Sequence, residues 1–156
     1  MAVHGVSRST RDLDLFTVSV DALADDTWLA LRSTGVEVQV ARGDAQDPLA
    51  GVVRLSAPRE HPIDVIVGKS PWQGGLLRRA RAAAIEGVDV PVATPADLIL
   101  LKLYAGGPQD AWDIEQLLAG PERAAFVAEV EATLDTLPAE CRGLWRRIRG
   151  GGPPST

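Results

Sequence analysis

The chain has 156 residues, of which 46% are hydrophobic and 24% charged, and it carries a net charge of −5. That is long enough for one domain with a real core, ordinary for a globular protein, and too acidic for strong nonspecific nucleic-acid binding by the whole surface. The single Cys141 has no partner for an internal disulfide, and no charged-then-apolar leader or apolar run of about 18 residues occurs, so a cytoplasmic protein without a membrane partner is expected.

The first informative stretch, Ser7 to Phe16, reads as a polar approach into a β-strand carrying Asp12 and Asp14. Side chains two apart on a strand share a face, roughly 6–7 Å apart. Two carboxylates so placed repel each other unless a cation sits between them, although an Asp-x-Asp at a strand entrance is also common by chance. Arg8 just ahead of them is either a phosphate contact or a surface charge offsetting the acids. Ala22 to Arg32, with Leu23, Trp28, Leu29 and Leu31, suits a short helix opened by Asp25 and Asp26. Gly35 ends it. Val36 to Val40 alternates as a half-buried strand, and the turn-rich 42–48 segment leads to further strands at Gly51 to Leu55 and Pro62 to Val67. Asp64 lies inside that last, β-branched run, where an unpaired buried charge is costly, so it needs a partner or a task. Three acids on two adjacent strands form an oxygen-ligand set for Mg2+, or Mn2+, that also grips a nucleotide's phosphates.

Gln73 to Glu86 is expected to be a helix with Leu76, Leu77, Ala80, Ala84 and Ile85 on its apolar side. Arg78, Arg79 and Arg81 then form a solvated basic face or, alternatively, a contact to triphosphate or RNA. Val88 to Val92 is a short strand at an edge, since Pro91 cannot donate to a ladder. Thr94-Pro95-Ala96-Asp97 is a helix start: hydroxyl cap, proline first, acid third. The following helix is apolar nearly all round and therefore buried, with Lys102 as the exception. Its stem either snorkels outward or aims the ammonium at the acidic pocket. Gly106-Gly107-Pro108 breaks the chain before a helix whose Asp110 and Asp113 share one face, where the helix dipole alone would favour them. Helices at 121–137 and 139–149 follow, the second exposing Arg142, Arg146, Arg147 and Arg149, with a Gly/Pro/Ser tail at 150–156 expected to be disordered. With two histidines and one cysteine there is no zinc spacing, and neither phosphate-loop nor dinucleotide glycine motif occurs.

Three blocks in this order carry a resemblance. His4-Gly5-x-x-Arg8-x-Thr10-x-Asp12-Leu13-Asp14-Leu15, then Ile63-Asp64-Val65-Ile66, then Thr94-Pro95-x-Asp97-Leu98-Ile99-x-x-Lys102 followed by Asp110-x-x-Asp113 resemble the DNA polymerase β-like nucleotidyltransferases. Within these they are most similar to the minimal and AbiEii-type toxin branch, a bacterial group. The resemblance implies an α/β (α+β) fold: a small mixed sheet of about four to five strands flanked by helices, with a C-terminal helical segment. It implies a core at 1–106 and helices at 107–149 packed on it. The activity it implies is metal-dependent transfer of a nucleoside monophosphate from a nucleoside triphosphate to an RNA (tRNA) or protein hydroxyl, as the toxin of a toxin–antitoxin pair with a cognate antitoxin. Asp12, Asp14 and Asp64 would hold the metal, Arg8, Thr10 and Lys102 the nucleotide, and Asp64, Lys102, Asp110 and Asp113 would be catalytic. Two departures accompany it: the family's Gly-Gly or Gly-Ser element ahead of Gly5 is absent, and Gln109 stands where the family often has Arg. The first favours the alternative expectation, a catalytically degenerate protein acting as a binding partner or antitoxin-like module.

Overall fold

In the computed structural model, residues 13–85 and 87–150 are described. Arg8, Thr10 and Asp12 lie outside them, as does the tail from 151 onward; Gly150, expected in that tail, ends the last helix. The fold is a mixed α+β one, as expected, with a four-stranded mixed sheet and a separate two-stranded one. The chain divides into two compact units at Gly75/Leu76. This division falls earlier than the one expected after Gly106.

The first unit is built on β1 (Leu13–Thr17), β2 (Glu37–Arg42), β3 (Leu49–Ser56) and β4 (Ile63–Gly68). The strand order is β1-β4-β3-β2, with β1 parallel to β4 and the other pairs antiparallel. Period-two alternation sorts the side chains. Val53 and Val65 are register partners and point with Val67 into the core, where Leu23 closes over them. Gly51 is required beneath that leucine: a Cβ there would lie 2.7 Å from a Leu23 methyl and 2.5 Å from the Ala41 carbonyl oxygen. Arg54 and Asp64 occupy the opposite face.

The helix expected over Ala22 to Arg32 is instead two 3-10 turns, Val20–Leu23 and Asp25–Trp28, before α1 (Leu29–Ser33). The reason lies in competing hydrogen bonds: the Trp28 indole donates to the Ala22 carbonyl (2.8 Å), and the Thr27 hydroxyl to that of Asp21 (2.6 Å). Ala24 between them is extended, at φ −80 and ψ 135.

α2 (Gln73–Arg79) leads from the first unit into the second. It stops well short of the expected end at residue 86. Arg81–Ile85 is β5, paired antiparallel with β6 (Val88–Val92), and Gly87 at φ +81 supplies the left-handed residue a tight hairpin needs. Alanine's helix preference is small, and cross-strand pairing overrides it here. Pro91 sits opposite Ala82 in this two-stranded ribbon, both of whose strands are edges.

The rest of the second unit is helical. α3 (Pro95–Ala105) begins as expected, with the Thr94 hydroxyl accepting from the Asp97 N–H (3.2 Å), and ends at Gly106, left-handed at φ +67. α4 (Pro108–Leu117), α5 (Arg123–Leu134) and α6 (Ala139–Gly150) follow, and α3 packs against all three. Ile99, Leu100 and Leu103 of α3 are buried with Ile114, Val130 and Trp145. Among the described residues no helix is long and apolar enough to cross a membrane.

Candidate functional site

Among the described residues, those expected to form the site fall into two clusters of charge, one in each unit. In the first unit, parallel pairing places Asp14 directly beside Asp64, and register partners on adjacent strands project to the same face. Asp14 and Asp64 therefore stand together on the face opposite the Val53–Val65 core, while Asp12, expected with them, lies outside the described residues. Sequence reasoning missed the third member. Arg54 on β3 is the register partner of Asp64 on its other side, and its guanidinium forks both carboxylate oxygens, Nε to Oδ1 at 3.0 Å and Nη2 to Oδ2 at 3.1 Å. This planar, two-bond geometry is the strongest form of Arg–carboxylate contact. Its only sequence signal is a cation at an alternating position in a strand that neighbours the Asp64 strand.

The second cluster lies across α3 and α4. The Lys102 ammonium donates to Asp110 Oδ1 at 3.1 Å and to Asp113 Oδ2 at 2.6 Å. Asp110 and Asp113 lie one turn apart on α4, so both reach the same cation. Asp110 also accepts from the Gly107 N–H through Oδ2 (2.9 Å), tying the start of α4 to the cluster. The side chains of Lys102 and Asp113 are only 16% and 5% exposed. Lys102 thus does not run out to open water; two carboxylates bracket it. With two anions against one cation, the cluster holds the ammonium firmly and keeps a net negative charge.

A further ion pair shows what Arg79 of the Arg78–Arg79–Arg81 segment does. Arg79 reaches Asp97, whose carboxylate is 1% exposed, through Nε at 3.0 Å, and the Thr94 hydroxyl donates to the same carboxylate at 2.9 Å. The hydrogen bond to Asp97 raises the Arg79 pKa above its ordinary value, outweighing the opposing effect of burial. Asp97 was legible as a helix-start acid; its partner was hidden behind the helix expected to run through residue 86.

Of the expected site residues, then, Asp14 and Asp64 are neighbours in one unit, and Lys102, Asp110 and Asp113 form one network in the other, while Arg8, Thr10 and Asp12 are outside the described residues. Among the described residues, no group of three or more His, Cys, Asp or Glu side chains is arranged to hold a metal ion. Asp14 and Asp64 are oxygen donors of the kind Mg2+ takes, and Arg54 occupies both oxygens of Asp64. Compared with known protein families and with curated proteins, the chain matches none.

Proposed function

We propose that the chain is a metal-dependent nucleotidyltransferase acting on an RNA or protein hydroxyl. The observation that carries this reading is the Asp14–Asp64 register pair, two like charges held side by side on one sheet face. Mg2+ or Mn2+ would be held by Asp14 and Asp64, together with Asp12 on the sequence pattern, and when bound it would neutralise phosphate charge. Asp64, once clear of Arg54, would accept the proton of the attacking hydroxyl. That oxygen bonds to the α-phosphorus as the bond to pyrophosphate breaks, and pyrophosphate leaves.

The test is binding first, then transfer. Millimolar nucleoside triphosphate with Mg2+ or Mn2+ should raise Tm by mass action, and Asp14→Asn should abolish most of the shift. Labelled triphosphates offered with bulk tRNA and with candidate proteins would then report transfer. No shift in the wild type removes the reading.

A second reading has its own support. Arg54 already supplies Asp64 with a cation at both oxygens, as in a site where a structural ion pair has replaced the metal. The chain would then be a degenerate member of the same fold, serving as a binding partner or antitoxin-like module. An unchanged Tm with nucleotide in both wild type and Arg54→Ala would favour it.

A further inference from the structure

We propose that the groove between α5 and α6 binds a small organic anion carrying a phosphate. The charge of this chain is unevenly spread: α6 carries Arg142, Arg146, Arg147 and Arg149 against Glu140, in a protein of net charge −5. Arg142, Arg146 and Arg149 are spaced i, i+4 and i+7, so they share one helical face. That face meets α5 in an open groove of about 480 Å³, lined also by Glu131, Leu134, Trp145 and Gly150. The volume lies in the range of small-molecule sites.

The lining has two chemistries. Leu134 and Trp145, 9% and 1% exposed, give an apolar wall, and the guanidiniums edge it. Each arginine's contact uses one nitrogen: Arg142 Nη1 donates to the Leu137 carbonyl (2.9 Å), Arg146 Nε to the Arg142 carbonyl (3.3 Å), and Arg149 Nη1 to Glu131. A guanidinium offers five N–H donors in a fork that matches phosphate oxygens, so each keeps donors for an anion. The Trp145 indole N–H, buried in the same wall, has no hydrogen-bond partner among the described residues. An apolar wall edged by cations suits a ligand with an organic body and a phosphate end.

Size and charge favour a small ligand over a polymer. A long polyanion feels the net negative charge of the whole chain, whereas a compact dianion feels mainly charges within a Debye length of about 8–10 Å. Glu131 is the groove's internal brake, since it repels an anion and occupies Arg149.

The inference does not rest on the transfer reading, and the experiment separates them. Inorganic pyrophosphate and AMP are titrated into the full chain by calorimetry, with EDTA present to exclude metal-dependent binding. AMP should bind with a Kd below about 1 mM and pyrophosphate more weakly, the difference reporting the apolar wall. The Arg146→Gln/Arg149→Gln double variant should weaken AMP about tenfold, Glu131→Gln should tighten it several-fold, and Asp14→Asn should leave it unchanged. A merely structural role for these side chains predicts no tightening in Glu131→Gln. Absence of AMP binding at about 10 mM, equal affinity in the double variant, or loss of binding in Asp14→Asn would overturn the proposal. So would a single-stranded oligonucleotide that binds more tightly than AMP through the same arginines, which would make the groove a nucleic-acid surface.

Discussion

The sheet cluster of the first unit and the helix clusters of the second use the same ingredients, a carboxylate and a cation at hydrogen-bond distance, in opposite settings. Arg54 and Asp64 lie on a sheet face with side chains 48% and 23% exposed. Lys102 with Asp113, and Asp97 under Arg79, are drawn into helix packing, down to 5% and 1% exposure at the aspartates. Water screens the first pair and stands ready to solvate either member if the other leaves, so it contributes little to stability and can rearrange for a ligand. The buried carboxylates have no such recourse, although their partners differ: Lys102 is 16% exposed, whereas Arg79, at 44%, still reaches water. Exposure, more than charge or distance, separates a pair that can serve a site from one that holds the helices.

The largest effect should come from the most buried acid. Asp97→Ala removes the acceptor of both the Arg79 guanidinium and the Thr94 hydroxyl, and should cost about 3 kcal/mol in urea denaturation. A loss below about 1 kcal/mol would break the contrast between the units. Next comes Lys102→Met, which keeps the stem volume but leaves Asp110 and Asp113 facing each other without their cation. An expected loss of about 2 kcal/mol distinguishes a structural bracket from a snorkelling lysine, whose replacement would be nearly neutral. If labelled transfer is detectable, the same variant reads Lys102's chemical part: a fall of orders of magnitude beyond the loss of folded protein marks a phosphate-directed role.

Arg54→Ala should sharpen the comparison from the other side. Thermal denaturation should change by less than about 1 kcal/mol, while Mn2+ with nucleotide should bind more tightly, because Asp64 is released. A large destabilisation would mean that the sheet pair is structural after all. The smallest effect concerns Cys141. Burial pushes its thiol pKa up, so the folded state retains a proton that the unfolded chain releases; that stability is present below about pH 9 and declines as pH rises through the folded value. Native protein should resist iodoacetamide at pH 8, and Cys141→Ser should flatten the alkaline decline. Ready alkylation without unfolding would contradict the burial.

Local chemistry carried much of this molecule into legibility. The alternation of Val36 to Val40, the apolar run around Asp64 and the Thr94-Pro95-x-Asp97 helix start each act within a few residues, and each element formed where its pattern placed it. Asp110 and Asp113 were legible as one face of α4 for the same reason, a fixed 3.6-residue period. What the pattern misjudged or left open was decided by partners outside the element itself, some near in the chain and some distant. Arg81 to Ile85 became a strand because Val88 to Val92 pairs with it, and Asp25 to Trp28 tightened into a 3-10 turn because an indole and a hydroxyl took the carbonyls of Ala22 and Asp21. Whether Lys102 snorkels or pairs depended on where the chain returns after Gly106, and the fork of Arg54 onto Asp64 depended on strand register, which moves every side chain to the other face with a one-residue slip. Periodicity states which side of an element is apolar. Only the packed chain states what stands opposite the other side.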